Sequence, residues 1–323
     1  MNRNIAIFLG GFLLSLPFWW GTNALSERLE EFFFFSELAQ NPQLFTAQAA
    51  LEQQLDSVLP LQKRNAPLEL GAASGLSVFV NQGTGESKVL FEKNSELRLP
   101  IASLTKLMGA LVVARHYPLE ETITISREAV AEEEDFGQLK EGDRILVKDL
   151  LYPMLMESSN DASAAFALKT GMADFLEAMN REASLLGLAD TRFYNHAGLD
   201  PDNPQGAVNY SSARDLFLLT QYLKTFHPSV FDILGRQSLP LYTADGVFHH
   251  EMVNTNQLLS SNGWPTRVLG GKTGWTPEAK GTLVLVLESP KGKGYIVNVI
   301  LGSDNRFHSM EQLVDWVFRS YAW

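Results

Sequence analysis

Between Leu99 and Val113 the chain reads Leu-Pro-Ile-Ala-Ser-Leu-Thr-Lys-Leu-Met-Gly-Ala-Leu-Val-Val, a turn running into a helix. From Leu104 onward that helix is apolar on nearly every side, so the fold must enclose it rather than lay it on a surface. It nevertheless carries Lys106 one turn after Ser103. Burying a lysine is costly unless the lysine has a task. Residues three apart share a helical face, so Lys106 reaches the Ser103 hydroxyl. Pro100 suits the first helical turn, where a missing N–H costs nothing. The helix N-terminus adds free N–H groups and a dipole that favour developing negative charge.

This arrangement reads as a nucleophile with an amine base. A serine hydroxyl attacks poorly until something takes its proton. A neutral lysine takes it, but the solution value of lysine is about 10.4, and bringing it near 7 requires about three units, or roughly 4 kcal/mol of desolvation and like-charge repulsion. A second lysine nearby would supply part of that. A Ser-x-x-Lys is expected by chance about once in a chain this long, so the context has to decide.

Two later stretches supply the context. Ser158-Ser-Asn160 lies between two apolar helical segments, the second rich in alanine. Taken alone, serine and asparagine at such a junction are most simply caps. Gly270-Gly-Lys-Thr-Gly-Trp-Thr276 stands just before a β run at Thr282–Leu287. A phosphate loop would need four residues between its glycines, then Gly-Lys-Ser/Thr and a helix, and that pattern is not met.

Several chemistries are disfavoured. The formal net charge is −11 and no basic patch stands out, which argues against a nucleic-acid partner. With no cysteine among 323 residues, disulfides, thiolate metal sites and cysteine nucleophiles are excluded. No His-Glu-x-x-His occurs, and the acidic run Glu132–Asp135 reads as a solvated loop. His249 and His250 follow one another in a strand, where neighbours point to opposite faces, which argues against a shared metal site. No metal and no cofactor are expected.

Along the chain, Ile5–Gly21 is an uncharged run of 17 residues behind Arg3, with Trp19 and Trp20 as an interfacial belt. Thr22-Asn-Ala24 is a poor cleavage site, so residues 1–25 read as an uncleaved membrane anchor in preference to a cleaved signal. The rest of the chain would then lie outside the cell membrane. Residues 26–73 read as a helical stalk and linker, with Phe32–Phe35 against lipid or protein. A compact domain is expected over 74–323. It would open with a hairpin of Leu76–Val80 and Lys88–Phe91. A second hairpin, Leu239–His250, turns at Asp245-Gly246, and Arg306–Trp323 forms a closing helix.

Ser-x-x-Lys, Ser-x-Asn and Lys-Thr-Gly in this order resemble the motif set of the penicillin-recognising serine enzymes. Ala102-Ser-Leu-Thr-Lys-Leu-Met108, Ser158-Ser-Asn-Asp-Ala162, Ser211-Ser-Ala-Arg-Asp-Leu216, Asn254-Thr-Asn256 and Gly271-Lys-Thr-Gly-Trp-Thr276 resemble one branch closely. That branch is the D-alanyl-D-alanine carboxypeptidases, the S11 serine peptidases among low-molecular-mass penicillin-binding proteins. The resemblance covers about Ser74–Trp323. It implies an α/β (α+β) fold of the penicillin-binding-protein/β-lactamase-like transpeptidase type: an antiparallel sheet flanked by helices, with an all-helical subdomain.

The resemblance also implies roles. Ser103 attacks the carbonyl of the penultimate D-alanine of an acyl-D-Ala-D-Ala stem peptide and forms an acyl-enzyme. Lys106 takes its proton, Ser158 relays a proton to the leaving D-alanine, and Asn160 positions Lys106 and the substrate amide. Lys272 holds Lys106 neutral and attracts the substrate carboxylate beside Thr273. The N–H groups of Ser103 and Trp275, which follows Gly274, form the oxyanion hole. Arg306 matches, by its distance from the last helix, an arginine that pairs with the terminal carboxylate. β-Lactam antibiotics would be covalent inhibitors.

This sequence departs from the pattern at two places. Ser159 and Lys280 stand where many members have glycine. Members with a second β-domain and a C-terminal anchor extend well beyond a closing helix like this one, so the N-terminal segment would do the anchoring here. Three readings compete with carboxypeptidase: a D,D-endopeptidase on cross-links, a class A-like β-lactamase and a non-catalytic wall-binding module. The lactamase needs a Glu-x-x-x-Asn loop that is absent between Asn160 and Lys272. Intact motifs argue against the non-catalytic module.

Overall fold

Leu283-Val-Leu-Val-Leu287 is apolar at every position, so a strand made from it has two hydrocarbon faces and both must be covered. The computed structural model, which describes residues 59–63, 67–131, 137–201, 203, 205–261 and 263–323, shows how. The strand is the second of a five-stranded sheet. Its members are β1 (Ala72–Asn81), β2 (Ser87–Lys93), β3 (Val268–Thr276), β4 (Lys280–Glu288) and β5 (Gly294–Ser303). They run in the order β3-β4-β5-β1-β2 with every pair antiparallel.

Helices cover the two faces. We label α1 (Thr105–His116), α2 (Asn160–Thr170), α3 (Met172–Leu185), α4 (Ala213–Phe226) and α5 (Arg306–Ser320). Val284, Val286, Val297 and Val299 share one core with Leu107 and Leu111 of α1 and Leu216 and Leu223 of α4. Leu283, Leu285, Leu287, Ile296 and Ile300 share the other core with Met310, Leu313 and Val317 of α5. The helical subdomain, with α2 and α3, belongs to the first core through Phe166, Phe175 and Met179. Thr105 to Val113 are all buried, as the all-round apolar character of α1 requires. Ser212 caps α4, accepting from Asp215 N at 3.1 Å.

The structure departs from the sequence reading at several places. Pro100 does not open a helix: Leu99–Pro100 pairs with Tyr210–Ser211 as a short strand, and the helix begins beyond a tight turn at Ala102–Leu104. The compact unit that holds the sheet begins at Leu59 rather than near Ser74. Leu61–Gln62 pairs with Tyr321–Ala322, and Leu70 joins the α5-side core, so the described part of the expected linker is tied into the domain. The closing helix ends at Ser320 because Tyr321 turns into that pairing. No helix among the described residues is long and apolar enough to cross a membrane. The expected anchor at 1–25, the stalk up to residue 58 and the acidic run Glu132–Asp135 lie outside the described residues.

Candidate active site

The backbone around Ser103 is set by close packing. Ala102 has φ +47°, a left-handed conformation that a residue with a Cβ adopts at a cost of about 1–3 kcal/mol. It persists because Gly198 (φ +86°) presses on it: a Cβ at 198 would lie 1.9 Å from the Ala102 carbonyl oxygen. On the other side β3 passes close by. A Cβ at Gly274 would lie 3.0 Å from Ser103 N and 2.4 Å from Thr282 Oγ1. Thr282 Oγ1 in turn donates to the Ile101 carbonyl at 3.2 Å. Ser103 is thus clamped between a glycine loop and an edge strand, half-buried, at the head of α1.

Lys106 lies one turn on, with no exposed surface. Its Nζ contacts Ser103 Oγ at 3.0 Å, Asn160 Oδ1 at 2.7 Å and the Ala197 carbonyl at 2.9 Å. Asn160 is the first residue of α2, so that helix and the 195–198 loop both fix the amine. Ser158 precedes α2 in a left-handed conformation (φ +66°) that ends a wide π-helical turn at Pro153–Glu157. The capping role falls to Ser159, whose Oγ accepts from Ala162 N at 3.1 Å, which leaves the Ser158 hydroxyl to face β3.

There it meets Lys272. This second lysine is 1% exposed, and its Nζ donates to Ser158 Oγ at 2.8 Å and to the Thr273 carbonyl at 2.9 Å. Burial pushes the Lys272 ammonium well below the ordinary lysine value, and the charges of Lys106 and Arg306 push the same way. Two buried amines that repel one another cannot both hold a proton cheaply.

These groups line one cleft of about 670 Å³, walled by Ser103, Ser158, Asn160, Thr273, Gly274, Trp275 and Arg306 among others. Lys106 and Lys272 stand behind that wall. Trp275 is 54% exposed at the rim. Arg306, the first residue of α5, reaches the cleft with its Nε buried and without a hydrogen-bond partner among the described residues, stacked 4.8 Å from the Phe307 ring. Burial lowers its value too. All nine residues singled out in the sequence therefore meet at one site.

Sequence reasoning did not give a role to two contributors. The loop Asn195–Leu199 supplies the Ala197 carbonyl and Gly198, and only the glycine hinted at it. Thr255 joins its Oγ1 to Thr273 Oγ1 at 2.7 Å, next to the cleft. Among the described residues, no group of His, Asp or Glu is placed to hold a metal ion.

A family model described as D-alanyl-D-alanine carboxypeptidase, of the S11 peptidases, matches residues 62–305. A D-alanyl-D-alanine endopeptidase of Pseudomonas aeruginosa is 34% identical over 237 residues, 71% of this chain and 72% of that protein. The D-alanyl-D-alanine carboxypeptidase DacF of Bacillus subtilis is 30% identical over 264 residues, 78% of this chain and 64% of that protein, so the match spans under two thirds of that relative's length. Among solved structures, penicillin-binding protein D2 of Listeria monocytogenes, in its cefotaxime-bound form, superposes with a TM-score of 0.65 at 29% identity, covering 79% of this chain and 100% of that one.

Proposed function

The chain belongs to the D-alanyl-D-alanine carboxypeptidase family of serine peptidases, and from that premise we propose that it removes the terminal D-alanine from peptidoglycan stem peptides through a Ser103 acyl-enzyme. The observation that carries this reading is the 3.0 Å contact of Ser103 Oγ with a lysine amine that has no access to solvent.

In this mechanism neutral Lys106 takes the Ser103 proton as Oγ attacks the carbonyl of the penultimate D-alanine. Ser103 N and Trp275 N receive the oxyanion, which the close passage of Gly274 past Ser103 supports. The C–N bond breaks, and the departing amine takes a proton relayed through Ser158, whose Oγ accepts from Lys272. Water then releases the acyl group by the reverse path. Lys272, Thr273 and Arg306 bind the terminal carboxylate, whose arrival favours protonated Lys272 by supplying a counter-charge. Asn160 holds Lys106 in line. β-Lactams acylate the same serine, consistent with the cefotaxime complex of the Listeria protein.

The direct test is D-alanine release from an acyl-D-Ala-D-Ala peptide. The parent is expected to release it and Ser103→Ala to release none; equal release by both would remove Ser103 from the mechanism. A D,D-endopeptidase is the second reading, favoured by the Pseudomonas relative of that name. It would cut a cross-linked peptide dimer faster than the monomeric pentapeptide. We also place the catalytic domain outside the cell membrane, held by residues 1–25. The uncharged run at Ile5–Gly21 supports this. Protein lacking those residues is expected in the soluble fraction, and its sedimentation with membranes would refute the anchor.

A further inference from the structure

His249 and His250 lie in the strand Phe248–Val253, where neighbours should point apart. They do not. Leu241 pairs with His250 and Tyr242 with Phe248, so His249 is the extra residue of a β-bulge. The bulge swings its ring onto the same side as His250, and the two Nδ1 atoms meet at 2.6 Å. Each outer nitrogen finds a carboxylate. His249 Nε2 lies 2.8 Å from Asp143 Oδ2, and His250 Nε2 lies 2.9 Å from Glu157 Oε2. Glu157 and His250 are 8% and 7% exposed.

The chain Asp143–His249–His250–Glu157 has three contacts, all between atoms that carry lone pairs. Each contact needs one proton. Two carboxylates and two neutral histidines bring only two. A third proton therefore sits in the chain, on the imidazole pair or on a carboxyl group. Without it one of the three contacts sets lone pair against lone pair.

We propose that Asp143, His249, His250 and Glu157 form one proton-sharing chain that positions Ser158, and that its third proton is needed to keep Ser158 in place. Glu157 immediately precedes Ser158 and closes the turn from which the Ser158 hydroxyl reaches Lys272. The segment just after this strand is bonded to that turn again, by Thr255 N to the Met156 carbonyl at 3.0 Å. Glu157 and His250 are thus positioning residues for the proton relay, and the inference rests on the reading of Ser158 given above. Among the described residues, the charged neighbours of the chain are few. Asp143 Oδ2 also accepts from Lys140 N at 2.7 Å, Arg144 pairs with Asp245 at the hairpin tip at 3.3 Å, and Lys140, Glu141 and Glu251 are exposed. On the far side of Ser158 stands Lys272.

Glu157→Gln separates the proton from the structure. A glutamine amide donates to His250 Nε2, His250 Nδ1–H donates to His249 Nδ1, and His249 Nε2–H donates to Asp143. All three contacts are then made without the third proton. The full chain and E157Q are to be acylated with a penicillin between about pH 6 and about pH 9, with melting temperatures recorded in the same buffers. E157Q is expected within about threefold of the parent near pH 7 and to gain on it as the pH rises, in acylation rate and in melting temperature. His250→Ala should slow acylation at every pH by about tenfold, with initial binding unchanged. Superimposable pH profiles for parent and E157Q, or an E157Q protein that does not fold, would overturn the proposal. If the parent is not acylated at all, the reading of Ser103 fails, and the melting series still tests the chain.

Discussion

Lys272 is a cationic side chain enclosed at 1% exposure, and its environment disfavours the charge it would carry in water. Burial is the larger cause and the neighbouring cations the lesser. Its value when folded lies below its unfolded value, so between the two the unfolded chain binds more protons and stability rises with pH. Lys272→Met lacks that term. The parent is therefore expected to gain melting temperature on K272M as the pH climbs toward about 10.4, the ordinary lysine value. Parallel curves would show that Lys272 folds without strain on its proton. The same substitution removes a charge-assisted bond to the substrate carboxylate, worth about 1.5–3 kcal/mol, and so is expected to lower kcat/KM for D-alanine release about 10- to 100-fold.

At the scale of elements, β3 and the 195–198 loop hold the nucleophile from two sides, and small residues let them come close enough. Gly274→Ala would place a methyl 2.4 Å from Thr282 Oγ1 and 3.0 Å from Ser103 N. The strand must then retreat from Ser103, and a displacement of this kind costs on the order of 100-fold in rate. Acylation by penicillin is expected to slow by about that factor, while overpacking of about 1–3 kcal/mol lowers the melting temperature by several degrees without unfolding the protein. Unaltered acylation would mean that the strand is not a fixed wall of the site. Of the elements behind these walls, α1 and β4 were legible in the sequence, because α1 is apolar all round and β4 is apolar on both faces, whereas Gly270–Thr276 showed no strand pattern and the 195–198 loop showed only its glycine. What hid were the features that depend on partners distant in the chain. Pro100 forms a strand because Tyr210 lies opposite, and Leu61–Gln62 is ordered because Tyr321–Ala322 is there to pair with it. The bulge at His249 reversed a rule that holds for regular strands, and no local pattern announced it.

At the scale of the molecule, the sheet works as a plate with a different core on each face. The serine and Lys106 belong to the helix on one face, Ser158 and Asn160 to the helical subdomain, Lys272 to the edge strand, and Arg306 to the start of the helix on the other face. No single element holds the chemistry, which is why three short motifs far apart in sequence were readable as one site only when taken together. Their convergence makes one claim above the rest, that Ser103 becomes covalently acylated. It is tested most directly by intact-mass spectrometry of the full chain and of Ser103→Ala after mixing with penicillin. A stable gain of one penicillin on the parent alone is the expected result. No adduct on the parent, or the same adduct on Ser103→Ala, would contradict it.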